Sequence, residues 1–224
     1  MNGGRCETLI RATTVADEAP LFERAMRNLL LRKGVIRQLQ LDDYRAEIET
    51  RGPMLGARLA ARAWVDDAFR TLLLSDGKQA VFEELGLRIS HGPEFVVVEN
   101  TPAVHHVIVC TLCSCYPKAV LGLPPAWYKS FAYRSQMVVE PRKILKVFGT
   151  EIPADTEIRV VDSTADMRYM VLPLRPKHSE GLSIDALAAV IKRDDLIGVT
   201  VPSMEEANAP ARKDRPARSR DGQA

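Results

Sequence analysis

Three of the chain's four cysteines stand within six residues, at Cys110, Cys113 and Cys115 in the stretch VCTLCSCYP. In a chain otherwise so poor in cysteine, such a cluster is typical of metal binding or redox chemistry. Thiols at i, i+3 and i+5 let one loop fold around a single ion like a claw, with the backbone amides between the last two thiols facing the metal. Three thiolates and two deprotonated amides would leave one octahedral position open and favour a trivalent, low-spin ion. The small side chain of Ser114 allows that close approach.

Other interpretations of the cluster stay open on the residues alone. A buried trio without a function is one, because free cysteine packs well in cores. A disulfide between Cys110 and Cys113, as in thioredoxin-like proteins, is another, although that motif normally opens a helix and Pro117 comes later than its usual proline. A structural zinc site needs four ligands, usually in two distant pairs, and the sequence has no second cysteine pair. His105 and His106 could add a ligand, but neighbours on a strand point to opposite faces, so at most one can reach.

The bulk composition narrows the class of protein. The chain is 46% hydrophobic, which allows a sizeable core, and its formal net charge is +2. A charge so close to neutral indicates neither nucleic-acid binding nor attachment to a membrane surface. The sequence shows no signal-peptide pattern and no run of about 20 apolar residues, so we expect a cytoplasmic protein. Cys6 lies in a segment with few folding signals and is interpreted as a free thiol without a role.

The first part of the chain, over residues 18–86, has helical patterns. EAPLFERAMRNLLLRKG places apolar residues on one face and ends at Gly34, a helix-stop signal. LDDYRAEIETRG predicts a second, short helix. A longer helical stretch opens at Pro53, where the missing N–H costs little, and ends near Gly86. We expect an N-terminal helical arm over residues 1–90.

Short β-branched runs begin near Phe95 and predict strands. Five are expected: EFVVVEN, HHVIVC, EIRVVDS, MRYMVLPL and LIGVTVP. Helical patterns lie between them in PPAWYKSFAYRSQ, EPRKILKVFG and SIDALAAVIKRDD, the last with Ser183 as its N-cap. This order predicts an α+β fold with a layered sheet core, whose metal-binding domain covers residues 91–202. Residues 203–224 are rich in charge, Pro and Ala and predict a disordered tail.

The claw stretch and the segments after it resemble the α subunit of nitrile hydratase. VCTLCSCYP is followed by VLGLPPAWYKSFAYRS, EPRKILKVFG, EIRVVDS, RYMVLPLRP and RDDLIGVTVP, so the resemblance covers roughly residues 18–202. The metal-carrying γ subunit of thiocyanate hydrolase belongs to the same superfamily and has a very similar motif. The resemblance implies an α-β-β-α layered domain and an enzyme, a hydro-lyase that hydrates a nitrile to the corresponding amide.

The resemblance also implies the ligands of the metal. Cys110 would be the axial thiolate, while Cys113 and Cys115 would lie in the metal plane with the amide nitrogens of Ser114 and Cys115. Cys113 is expected as a sulfinic acid and Cys115 as a sulfenic acid, both on the ordinary cysteine oxidation ladder. The residue after the first cysteine tends to be Thr in cobalt members and Ser in iron members. Thr111 therefore implies one Co(III) per chain rather than iron.

The implied chemistry makes Cys115 the expected catalytic residue. A trivalent ion is a Lewis acid that can polarise a nitrile or acidify a bound water, and the Cys115 sulfenate oxygen is a further candidate as nucleophile or base. The choice among these routes stays open. The sulfur anions and amidates leave about two net negative charges at the ion, and such a site needs cations nearby. The resemblance therefore implies a β-type partner subunit, single or split in two, that brings arginines, and an activator for metal insertion.

Four further residues are expected around the site: Lys118, Arg159, Arg168 and Glu99. Lys118 in CYPKAVLGLPP stands where common family members have a pocket tryptophan, and thiocyanate hydrolase tends to have a basic residue there. We therefore expect a polar or heteroaromatic nitrile as substrate, with hydrolysis of thiocyanate to carbonyl sulfide and ammonia as the alternative. Two functions of other classes stay open: a structural zinc module, and a metal-delivery or redox-switch protein.

Overall fold

The computed structural model describes residues 19–89 and 92–204. Cys6, residues 1–18 of the predicted arm and residues 205–224 of the predicted tail lie outside the described residues. The helices of this part are α1 Ala19–Arg32, α2 Gln38–Glu49, α3 Pro53–Ala63, α4 Asp67–Ser75, α5 Gly77–Leu85, α6 Lys118–Leu121, α7 Ala126–Lys129, α8 Phe131–Val139, α9 Pro141–Val147, α10 Ile184–Val190 and α11 Arg193–Ile197. None of these helices is long and apolar enough to cross a membrane.

The first two helices lie on the outside of the molecule. Gly34, with φ of 68°, follows α1 where the sequence predicts a helix stop. None of the side chains described in α1 and α2 is buried, and large apolar ones such as Phe22 and Leu39 are each 69% exposed. Their apolar face therefore has no counterpart within the described part of the chain.

The next three helices belong to the core. Pro53 opens α3 at its first turn, as predicted, and α4 and α5 are capped by the carboxylates of Asp66 and Asp76. Buried side chains from all three helices join one hydrophobic cluster: Ala57, Leu59, Ala60, Ala61, Ala63, Phe69, Leu73, Ala80 and Val81. The domain boundaries given above stay predictions. Buried side chains begin in α3, which starts at Pro53, and not at the predicted boundary near residue 90.

Four of the predicted strands form two small parallel sheets: β1 Glu94–Glu99, β2 Val104–Val109, β3 Glu157–Asp162 and β4 Met167–Leu172. β1 pairs with β4, and β2 pairs with β3. The two sheets contact each other through β2 and β4, while α4 and α5 pack on β1 and α9 packs on β3. This arrangement confirms the α+β fold and its layers of helix, sheet, sheet and helix.

The predicted fifth strand, LIGVTVP, is wrong. Its first residues end α11, which stops at Gly198 with φ of 85°. The Asp195 carboxylate accepts hydrogen bonds from the Lys192 N–H and the Thr200 hydroxyl, so a polar cap fixes this segment as a helical turn. Its apolar residues, Ile197 and Val199, are buried in the core instead of in a sheet. The N-cap predicted at Ser183 is confirmed, since its hydroxyl accepts from the Ala186 N–H at the start of α10.

Candidate metal centre

The three clustered cysteines lie on the loop between β2 and α6. Cys110 is fully buried at the end of β2, Leu112 is 87% exposed, and Tyr116 is only 2% exposed. The loop therefore leaves the core at its first cysteine and returns just after its last. Cys113 is exposed and Cys115 is half-buried, so two of the three sulfurs are open to a ligand from outside.

The loop brings all three sulfurs together, as the spacing predicts. The Sγ atoms of Cys110 and Cys113 are 3.5 Å apart and those of Cys113 and Cys115 are 3.2 Å apart. All three sulfurs lie within 4.8 Å of one another, and none is in a disulfide. Among residues 19–89 and 92–204, this is the only group of three or more His, Cys, Asp or Glu side chains close enough to share an ion.

The sulfur spacing fits a single metal ion. Two thiolates about 2.3 Å from one ion are roughly 3.3 Å apart at a right angle and roughly 3.8 Å apart at a tetrahedral angle. The two distances through Cys113 are closer to the right-angled value. The neighbouring histidines do not complete a zinc site, because neither belongs to the cluster. His105 is engaged elsewhere, with its Nε2–H donating to the Gly198 carbonyl and its Nδ1 accepting from the Asn100 amide.

The thiols of Cys113 and Cys115 differ in acidity. Hydrogen bonds from the Cys115 and Cys110 thiols lower the pKa of Cys113 to about 7. Burial and the bond to Cys113 raise the pKa of Cys115 to about 12, whereas the positive charge of Arg168 acts in the opposite direction. The exposed Cys113 therefore becomes a thiolate, the form that a metal binds, before Cys115 does.

The first end of the claw is held by Asp162. Its carboxylate, at the end of β3, accepts hydrogen bonds from the Thr111 N–H at 3.0 Å and the Thr111 hydroxyl at 2.5 Å. Arg134 on α8 donates to the Thr111 carbonyl at 3.3 Å. Neither Asp162 nor Arg134 was predicted from the sequence to lie at the site. The signal for Asp162 was an acidic residue at the end of a strand, but using it required the pairing of β2 with β3.

Two buried tyrosines bind backbone carbonyls in this region, one at the last cysteine of the claw and one within β2. The hydroxyl of Tyr128 donates to the Cys115 carbonyl at 2.8 Å, and that of Tyr133 donates to the Ile108 carbonyl at 2.7 Å. Burial raises the pKa of both tyrosines above its ordinary value, so both hydroxyls stay protonated donors. No signal in the sequence pointed to either hydroxyl, because both bonds join segments that are distant in the chain.

A cavity of about 440 Å³ opens beside the exposed sulfurs. Cys113, Ser114 and Cys115 form one side of it, and Lys118 and Arg168 contribute two cations. The remaining lining is largely apolar or aromatic: Tyr44, Ile89, Pro93, Phe95, Tyr116, Pro117 and Ala119. A small molecule in this cavity would meet the claw, two positive charges and an aromatic wall.

The structure separates the four predicted surrounding residues into two pairs. Lys118 and Arg168 both line the cavity, and the Arg168 guanidinium is tied to the carbonyls of Thr164 and Met167. Glu99 and Arg159 do not line it. Glu99 forms a two-point ion pair with Arg70, and Arg159 forms one with Glu157.

The chain is similar to known proteins both in sequence and in overall fold. The family model for the nitrile hydratase alpha chain matches residues 17–200. The low-molecular weight cobalt-containing nitrile hydratase subunit alpha of Rhodococcus rhodochrous is 48% identical over 181 residues, which are 80% of this chain and 87% of the relative. Thiocyanate hydrolase subunit gamma of Thiobacillus thioparus is 38% identical over 193 residues, 81% of this chain and 79% of the relative. A solved double mutant of the Fe-type nitrile hydratase from Comamonas testosteroni Ni1 superposes with a TM-score of 0.80 at 40% identity, over 88% of this chain and 97% of that chain.

Proposed function

Because this chain belongs to the nitrile hydratase alpha-chain family, we propose that it is the metal-binding subunit of an enzyme that hydrates a nitrile to its amide at one Co(III) ion. The observation that carries the proposal is the convergence of the Cys110, Cys113 and Cys115 sulfurs within 4.8 Å beside an open cavity. The backbone nitrogens of Ser114 and Cys115 would complete the donor set. Because the backbone would supply two of the donors, a single loop can provide all the protein ligands of the metal.

Cobalt is favoured over iron by two observations. Thr111 follows the first cysteine, as it tends to do in cobalt members of the family. The Rhodococcus rhodochrous relative at 48% identity is named as cobalt-containing, although the Comamonas testosteroni structure is of the Fe type. Bound in the claw, a trivalent ion supplies Lewis acidity for adding water to the C≡N bond.

The chain's own residues would orient the nitrile and move the proton. The aromatic wall of the cavity, including Tyr116, holds the body of the substrate against the claw. Cys115, oxidised to the sulfenate, accepts a proton from water while the water oxygen bonds to the nitrile carbon, and the proton then passes to the nitrile nitrogen. The resulting iminol rearranges to the amide, so atoms and charge balance. Cys113, oxidised to the sulfinate, would add negative charge to the centre, and the cation of Arg168 stabilises negative charge at Cys115.

The cavity supports a polar or heteroaromatic nitrile as substrate. Its volume of about 440 Å³ exceeds what a small aliphatic nitrile fills, and its lining combines aromatic rings with the cation of Lys118. Thiocyanate is the second candidate, because a thiocyanate hydrolase subunit is 38% identical and Lys118 and Arg168 could attract an anion. The apolar side of the cavity favours the nitrile, since a small anion would leave it unfilled.

The surface around the claw supports a partner subunit. Leu112 on the claw is 87% exposed, and Phe131 at the start of α8 is 78% exposed. Exposed apolar side chains beside a charged centre are typical of an interface. The net negative charge of the loaded claw requires more cations than Arg168 supplies. We therefore propose a β-type partner subunit, single or split in two. An activator for metal insertion belongs to the same proposal. So does a cytoplasmic location, where thiols stay reduced until the metal binds.

Three substrates test this function in one experiment. The full chain is produced with its β-type partner and with cobalt, then supplied with thiocyanate, a small aliphatic nitrile and a bulky heteroaromatic nitrile. We expect amide from the heteroaromatic nitrile, and little or no turnover by the chain alone. Carbonyl sulfide from thiocyanate, with no amide from either nitrile, would replace the proposed reaction by the alternative one. Zinc with unoxidised thiols and no turnover would indicate a structural module.

A further inference from the structure

The two ends of the claw are fixed by different parts of the fold. Asp162 and Arg134 hold Thr111 at the first end. At the second end, the Tyr128 hydroxyl reaches the carbonyl of Cys115, the last cysteine of the claw. The peptide between Cys115 and Tyr116 is therefore tied to α7, a helix that contributes no cysteine to the site.

Tyr128 is itself held rigidly. It is fully buried, and its ring packs edge-on against Tyr116 at 5.1 Å and against Trp127 at 6.0 Å between ring centres. Such aromatic contacts restrict a ring to one orientation in a close-packed core. The hydroxyl therefore occupies a fixed point, and the Cys115 carbonyl oxygen must lie 2.8 Å from it.

Fixing this carbonyl fixes the conformation of Cys115. A peptide unit is planar, so the direction of the Cys115 C=O sets the ψ angle of Cys115 itself. The Cys115 sulfur lies 3.2 Å from that of Cys113, and the nitrogen of Cys115 belongs to the same residue. Residues that orient metal ligands commonly do so through a hydrogen bond of this kind.

We propose that Tyr128 is a positioning residue for the metal claw: its hydrogen bond to the Cys115 carbonyl orients the nitrogen and sulfur of Cys115 before the metal arrives. The inference rests on the proposed function, because it requires the claw to hold a metal. Tyr128 takes no part in the reaction itself. It sets the shape of the site that the metal enters.

The chain provides a matched control in Tyr133. This tyrosine is also fully buried, lies in the same aromatic cluster and donates one hydrogen bond to a backbone carbonyl, at 2.7 Å. Its acceptor is Ile108, which lies within β2 and outside the claw. Replacing either tyrosine by Phe removes one buried hydroxyl and keeps the ring, so the loss of stability should be similar.

The test compares Tyr128→Phe with Tyr133→Phe in the full chain produced with its β-type partner. Cobalt affinity is measured by competition with a chelator, and the sulfur-to-cobalt absorption bands report the geometry of the loaded site. We expect Tyr128→Phe to weaken cobalt binding by about 10- to 100-fold and to shift the bands. Tyr133→Phe should keep the wild-type affinity and spectrum.

Wild-type affinity and spectrum in Tyr128→Phe, or equal losses in both variants, would overturn the inference while leaving the proposed function intact. A wild-type complex that binds no cobalt would instead refute the proposed function and this inference with it. A second measurement does not depend on the variant's folding. Amide hydrogen exchange at Tyr116, whose N–H belongs to the peptide that Tyr128 holds, and at Lys118 should be equally slow in metal-free and cobalt-loaded wild type. Protection that arises only on loading would contradict a preformed claw.

Discussion

Asp162 binds Thr111 through both oxygens of its carboxylate, one to the backbone N–H at 3.0 Å and one to the hydroxyl at 2.5 Å. Val109 and Asp162 are partners in the parallel register of β2 and β3, so the sheet itself brings the carboxylate to the base of the claw. The fold therefore holds the base of the cysteine loop, whose three sulfurs lie within 4.8 Å of one another.

Asp162→Asn should weaken metal retention. Asn keeps one acceptor oxygen but loses the charge and one of the two bonds to Thr111, so the first end of the claw loosens. Cobalt affinity, measured by chelator competition, is expected to fall by about 10- to 100-fold. Asp155→Asn, an exposed carboxylate before β3, is the control and should leave affinity unchanged. Equal affinity in wild type and Asp162→Asn would show that the carboxylate does not shape the site.

Cys115→Ser should abolish turnover, because it removes the sulfur that acts as a sulfenate in the proposed reaction. The hydroxyl oxygen is a weaker donor and cannot be oxidised, so the proton acceptor of the proposed reaction is lost. Amide formation should fall by at least about 100-fold. Mass spectrometry of the loop peptide should show oxygen added at Cys113 and none at position 115. Near-normal activity in this variant would remove the sulfenate from the mechanism.

Lys118→Trp should change substrate choice rather than abolish activity. Lys118 lines the cavity from the start of α6, so a large ring there fills space that a bulky nitrile needs. Overfilling costs about 1–3 kcal/mol, so kcat/KM for the heteroaromatic nitrile should fall by about tenfold or more while a small nitrile is spared. Lys118→Met is the control, with similar length and no charge, and should cost less than about fivefold. A steep, salt-dependent rise in KM for thiocyanate in Lys118→Met would instead favour an anionic substrate.

His105 should make the fold less stable as the pH falls. Burial lowers its pKa from the ordinary 6.5, so the unfolded chain takes up a proton at a pH where the folded chain does not. The contribution of His105 to the free energy of unfolding is complete above its ordinary pKa of 6.5. It is lost as the pH falls from there through the lowered pKa of the folded chain. The Tm of the wild type should drop between about pH 7.5 and about pH 5.5. His105→Gln, with His106 unchanged, should make that drop smaller by on the order of 2–4 °C. A drop in Tm in His105→Gln as large as that of the wild type would contradict this assignment.

The sequence predicted helices and strands best where the local pattern of apolar residues matches the side chains that are buried in the core. The four β-branched runs that became strands alternate or cluster apolar residues over six positions, and Gly34 and Ser183 mark helix ends through their own backbone or side-chain chemistry. The strand predicted at LIGVTVP failed because Ile197 and Val199 are buried in the core without pairing in a sheet. The deciding cap at Asp195 depends on Thr200. The cysteine spacing sufficed to predict that the three sulfurs converge, since all of them lie on one loop.

The surroundings of the claw could not be predicted in this way, because they depend on long-range pairing. Asp162 is 51 residues from Thr111 in the chain and reaches it through the register of two parallel strands. Glu99 was expected near the site from its position just upstream, but Arg70 on α4 binds it at two points. Tyr128 looked like an ordinary aromatic residue of a short helix until its hydroxyl was found against Cys115.

The metal content of the purified complex tests the central claim most directly. The full chain is produced with its β-type partner and activator under cobalt-replete growth, and its metals are counted by elemental analysis beside those of Cys110→Ala. The account predicts close to one cobalt per wild-type chain and almost none in Cys110→Ala, because the variant loses the buried sulfur at the base of the claw. Zinc or iron as the predominant metal, or cobalt that stays bound in Cys110→Ala, would contradict a cobalt centre on these three cysteines.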